Sequence, residues 1–163
     1  MSEETILKPL REKISKFPLP QKPITFGQSY VFPEDATLLT SPQLGNWMFK
    51  LAGWKGYALH QLAFVEMESS VMEDVYTAKM EMAMSQVQSE KKLVKETLRG
   101  QVMSSNKEIS ELKARCMEKA GTLVALKRIV ELYTIQLEIV SRELTRRTYD
   151  LKLMQKGIQN FDD

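Results

Sequence analysis

Lys91, Lys92, Lys95 and Arg99 fall within nine residues, and Lys107 follows shortly after. On a continued helix, steps of one, three and four bring these cations to one face. Residues 91–107 carry five Lys/Arg against one acid, Glu96, whereas residues 41–90 carry three against six. Local concentration of this kind suits the phosphates of a nucleic-acid backbone, whose attraction is electrostatic and weakens with salt. A solvated helix end is the competing reading.

A second basic group, Arg142, Arg146 and Arg147, lies in the run Ser141-Arg142-Glu143-Leu144-Thr145-Arg146-Arg147. It offers either a secondary anion site or ion pairs to Glu143 or Glu138 of another helix, and ion pairing is the preferred reading. Trp47 and Trp54 stand one heptad apart. They could stack on bases, but their position on an apolar stripe favours core packing.

Signals for catalysis are weak to absent. The chain has one histidine, His60, read as a surface or seam residue, and one cysteine, Cys116, read as a small buried hydrophobe. A metal centre needs several ligands at compatible spacing, and none is apparent. No Gly-rich phosphate loop occurs. The acid pairs Glu66/Glu68 and Glu73/Asp74 are ordinary for a solvated helix face. An enzyme is disfavoured, and no cofactor or metal is expected.

The elements that must carry these groups are helical. From Ile109, alternating steps of three and four meet Leu112, Cys116, Lys119, Leu123, Leu126, Val130, Tyr133, Leu137, Val140, Leu144, Arg147, Leu151, Met154 and Ile158. Only Lys119 and Arg147 interrupt this apolar ladder. A sustained 3.5-residue repeat specifies a long helix whose seam buries against other helices. Ile129, Leu132, Ile135 and Ile139 lie off the seam, so this stretch needs partners on more than one side. Leu123, Leu126, Val130, Tyr133, Leu137, Val140 and Leu144 are the expected oligomer interface.

Ser105 as N-cap with Glu108 three residues on reads as a capping box. This helix should span about 106–156, with Gly157 as its stop. An earlier helix is expected over about 42–90, with Ser41 as N-cap and Pro42 at the first helical position. Gly45, Gly53 and Gly56 in its first turns suggest close approach of another backbone, or a kink. Met80, Met82 and Met84 suggest adaptable packing. Residues 91–105 form a basic hinge. Two helices of this length are each about 70 Å long and can fold back as an antiparallel hairpin. One hairpin leaves the widened ladder uncovered, so a multi-helix, ring-like homo-oligomer is expected.

Residues 1–40 differ. Pro9, Pro18, Pro20, Pro23 and Pro33 break long helices. A short helix from Glu3 to Lys16 is followed by an extended arm, Phe17 to Pro33, bearing Phe17, Phe26, Tyr30 and Phe32. Four aromatics favour an ordered arm over a plain linker. The chain has 163 residues, a net charge of +2, 27% charged and 43% hydrophobic residues, the balance of a soluble globular or coiled-coil protein. With one cysteine, a charged N-terminus and no apolar run of membrane-spanning length, a cytoplasmic setting without disulfides is expected. The fold class is all-α.

Residues 43–150 resemble UvsY-like recombination mediators of phages. The likeness rests on Gly45-Asn46-Trp47-Met48-Phe49-Lys50-Leu51-Ala52-Gly53-Trp54, the acidic-to-basic first helix, Lys91-Lys92-Leu93-Val94-Lys95, and the apolar second helix ending at Ser141–Arg147. The resemblance implies a ring-forming helical protein that binds single-stranded DNA. It implies help in loading a RecA-like recombinase onto DNA coated by single-strand binding protein, in the host cytoplasm. By position it implies DNA contacts at Lys91, Lys92, Lys95 and Arg99, with Lys107 adjoining. Glu96 and the small net charge depart from a strongly basic binder, and the arm has no counterpart role. A coiled-coil scaffold or virion assembly protein without nucleic-acid binding is the alternative.

Overall fold

The computed structural model describes residues 3–23, 31–90 and 94–159. These form four α-helices and one short 3-10 turn, with no strand among them: α1 Glu3–Ile14, the turn Ala36–Leu38, α2 Ser41–Glu90, α3 Lys95–Ser105 and α4 Lys107–Gln159. The all-α expectation holds. None of the described helices is long and apolar enough to cross a membrane. The chain divides into two compact units, residues 1–19 with 60–127, and residues 20–59 with 128–163.

Local chemistry sets the helix starts one residue away from the sequence reading. Thr40, not Ser41, caps α2. The Gln43 N–H donates to Thr40 Oγ1 at 3.4 Å, and Gln43 Oε1 accepts from the Thr40 N–H at 2.7 Å. This reciprocal pair is a capping box, and it puts Pro42 in the second helical position rather than the first. Asn106, not Ser105, caps α4, because its Oδ1 accepts the Ile109 N–H at 3.2 Å. Ser105 instead donates to the Gln101 carbonyl inside α3 at 2.8 Å. Residues 95–105, read as hinge, thus make a helix of their own. Its apolar residues Leu98 and Val102, four apart, are both buried. Gly157 does not stop α4, which runs on to Gln159; one glycine in a last turn costs at most about 1 kcal/mol.

The first unit is built on Met72, Val75, Tyr76 and Met80 of α2, Val102 of α3, and Ile109, Leu112 and Cys116 of α4, with Ile6 of α1 packed against them. The α2 and α4 sets repeat at three and four, so one stripe from each long helix forms most of the core. Cys116 is 5% exposed and forms no disulfide. Met80 is buried and Met84 half-buried, while Met82 points to solvent. Ion pairs Lys79–Glu108, Glu68–Lys119 (2.6 Å) and Glu66–Lys127 (3.2 Å) run down α2 as they run up α4, so the two are antiparallel within this unit.

The second unit centres on Leu44 and Leu51 of α2, Val140 of α4, and Ala36 of the turn. Trp47, Met48, Phe32, Leu39, Tyr133, Leu137 and Leu144 pack around them. The seam from Tyr133 to Leu144, expected at an oligomer interface, therefore faces its own chain, and Val140 has no exposed surface at all. The reason is the apolar stripe of α2, which meets that seam first. Leu123, Leu126 and Val130 are half-buried. Phe32 meets Trp47 edge-on with ring centroids 5.6 Å apart, so one arm aromatic is docked. Phe17 is exposed, and Phe26 and Tyr30 lie outside the described residues. Of the three glycines near the start of α2, only Gly53 has a close neighbour among the described residues. A Cβ there would lie 3.4 Å from the Pro23 side chain, while Gly45 and Gly56 face open space.

Candidate nucleic-acid interface

The two breaks in the apolar ladder are both paired charges. Lys119 and Arg11 converge on Glu68, whose carboxylate is half-buried beneath α1. Burial pushes the Glu68 carboxyl up, but the hydrogen bonds from Lys119 and Arg11 outweigh it and hold the group below its ordinary range. Arg147, the second break, donates from Nε to Glu143 of its own helix at 2.7 Å and from a terminal nitrogen to the Thr37 carbonyl at 3.0 Å. Its other terminal nitrogen reaches Ser41 Oγ at 3.5 Å. Arg146 grips the same carboxylate with two bonds, at 2.9 and 2.8 Å, and pairs Asp150 at 2.9 Å.

Glu143 is only 7% exposed. Hydrogen bonds from Arg146 and Arg147 lower its pKa from 4.5 to about 2. The cluster ties the 3-10 turn to α4 inside the second unit. Its partners come from the same helix at i+3 and i+4, not from another helix as the sequence suggested, because those spacings bring the groups together before any partner arrives. Arg142 pairs Glu138 at 3.4 Å. The three arginines of the secondary site thus each have a carboxylate.

The basic segment differs. Lys95 and Arg99 are exposed on α3, four residues apart, and pair with no carboxylate among the described residues. Leu98 and Val102 hold α3 down, so the helix has an anchored side and a solvent side. Val94 caps α3 without a side-chain hydrogen bond, and Glu96 occupies the first turn. The first N–H groups of a helix carry partial positive charge, which complements an anion. Lys107, at the start of α4, is exposed and loosely paired with Glu111 at 3.7 Å. Lys91 and Lys92 lie outside the described residues.

The tryptophans are packed. Trp47 belongs to the second core, with the Lys50 ammonium 5.4 Å from its ring centroid, and Trp54 meets Tyr57 edge-on at 6.4 Å. His60 stacks edge-on against Phe64 at 4.9 Å, and both of its ring nitrogens are buried with no hydrogen-bond partner among the described residues. Among the described residues no group of His, Cys, Asp or Glu is placed to hold a metal ion.

Sequence reasoning missed the Glu68 centre, and it named Glu143 as a partner of the arginines but assigned it to another helix. The second had a visible signal, since Glu143 stands three and four residues before Arg146 and Arg147. The first depends on Arg11, fifty-seven positions away, and had none. No family model, curated protein or solved structure matches this chain.

Proposed function

We propose that this chain is a non-enzymatic mediator that binds single-stranded DNA and works as an assembly of antiparallel helical hairpins. The observation that carries the reading is a contrast between cations. Arg11, Lys79, Lys119, Arg146 and Arg147 are each tied to a carboxylate, whereas Lys95 and Arg99 on α3 are exposed and tied to none among the described residues. Together with Lys91, Lys92 and Lys107 they supply a segment able to track a phosphate backbone without reading its sequence. Repeated over several copies, modest segments add by multivalency. The resemblance to phage recombination mediators extends the reading. The assembly grips the strand, loosens a coating single-strand binding protein, and presents the strand to a RecA-like recombinase in the cytoplasm of a bacterial host.

A coiled-coil scaffold or virion assembly protein is the second reading. It draws on Ile129, Leu132, Ile135 and Ile139, which stay 40–51% exposed on α4. Binding of oligo-dT at two salt concentrations separates the two. The mediator binds with a negative log–log salt slope. Changing Lys91, Lys92 and Lys95 together to Ala lowers affinity and flattens the slope by about 0.7 for each phosphate that is no longer neutralised, with helical circular dichroism unchanged. No binding at low salt leaves only the scaffold.

A further inference from the structure

Between Arg128 and Arg142, α4 is apolar on two sides. One side, Tyr133, Leu137 and Val140, packs on its own chain. The other carries Leu132, Ile135 and Ile139, at 49%, 51% and 42% exposure. Steps of three and four make these three a short second seam, the pattern by which one helix packs on another.

The charges around this seam indicate what covers it. Counting outward from Ile135, Glu131 and Glu138 stand four before and three after, and Arg128 and Arg142 seven before and seven after. The pattern reads nearly the same in both directions. Arg128 pairs Glu131 at 2.7 Å and Arg142 pairs Glu138 at 3.4 Å, with all four side chains more than half exposed.

We infer that this face binds the same face of a second copy as an antiparallel pair, with the two-fold axis at Ile135. Ile135 then meets Ile135 of the other copy, and Leu132 meets Ile139. A two-fold axis across antiparallel helices keeps both copies' glutamates on one edge. At each end of that edge two arginines, Arg128 of one copy and Arg142 of the other, meet Glu131 of one and Glu138 of the other, a balanced set. A parallel pair would set each glutamate against Ile129 and Gln136 of the other copy and form no such network. Exposed pairs exchange partners at little cost. The apolar centre is small, below the size of a standard stable interface, so the contact is weak and concentration-dependent by itself. In a larger assembly it is one contact among others, and it closes on itself because it is isologous. It rests on the assembly half of the proposed function and is independent of the nucleic-acid half.

The test uses the full chain with Cys116 in place, because that thiol is buried, and a short bismaleimide as cross-linker. Ile135→Cys gives linked dimers well above the parent chain and above Ser141→Cys, an exposed control on the same helix. Leu132→Cys mixed with Ile139→Cys links more than either alone. Ile135→Glu, at an exposed position, keeps its helical signal and shifts the sedimenting mass toward the 18.8 kDa chain. Linkage at Ile135 no greater than at Ser141 overturns the contact. Self-linkage of Leu132→Cys and of Ile139→Cys without linkage between them overturns its direction. All arms run without DNA, so a failed oligo-dT experiment leaves them unaffected, and normal oligo-dT binding with no linkage rejects the contact alone.

Discussion

Single residues in this protein are read most clearly through their partners. Glu143 accepts from both Arg146 and Arg147, and its pKa falls from 4.5 to about 2. A carboxylate depressed in the folded state adds stability that is fully present above its unfolded pKa and is lost as pH falls through the folded one. Acid unfolding of the parent should therefore steepen between pH 4.5 and 2. In Glu143→Gln that part of the pH dependence should vanish, with lower stability at pH 7. Thermal melts along a pH series check this, and parallel curves for the two chains would count against the cluster. His60 is the opposite case. Two buried ring nitrogens have no partner among the described residues, and an unmet polar group costs about 1–3 kcal/mol. His60→Leu should raise the melting temperature in the same assay; a lower one would reveal a partner for a ring nitrogen.

At the scale of elements, the long helices followed from periodicity because periodicity is what their cores use. Ile109, Leu112 and Cys116 are buried at the spacing that announced them, and Met72, Tyr76 and Met80 face them at steps of four. The two helix starts were read one residue off. Several capping residues stand together at Thr40-Ser41 and at Ser105-Asn106, and backbone geometry chooses among them, which composition does not encode. α3 was illegible because it is short, carries Gly100, and shows only Leu98 and Val102 as buried apolar residues. The basic cluster was legible as charge, but its partition into unpaired α3 cations and paired α4 arginines depends on the folded geometry. Two tests belong here. Thr40→Ala removes the capping box of α2 and should cost about 1 kcal/mol in denaturant unfolding. Gly121→Ala and Gly100→Ala should each stabilise by about 0.5–1 kcal/mol, since a Cβ at either meets open space and the helix loses a flexible residue.

For the whole molecule, the sequence offered one continuous seam, whereas the structure buries parts of it in two cores and leaves Leu151 and Met154 exposed, at 61% and 66%. Met72, Val75 and Tyr76 serve one; Leu44, Leu51 and Val140 serve the other, with no residue in common. The division was hidden because a heptad ladder marks which positions are suited to burial, not which partner covers each one. Lys119 and Arg147, the two interruptions, each lie beside a charged centre belonging to a different unit. Truncating one core should therefore be felt first in its own unit. Leu51→Ala and Met72→Ala each leave a cavity at a site at most 1% exposed, and each should cost about 2–5 kcal/mol. Native-state hydrogen exchange localises the loss. Leu51→Ala should speed exchange among α4 amides at 133–147 before those at 109–119, and Met72→Ala should do the reverse. Equal acceleration across α4 by both variants would mean that the two cores open as a single cooperative block, and the division into units would then describe packing without describing stability.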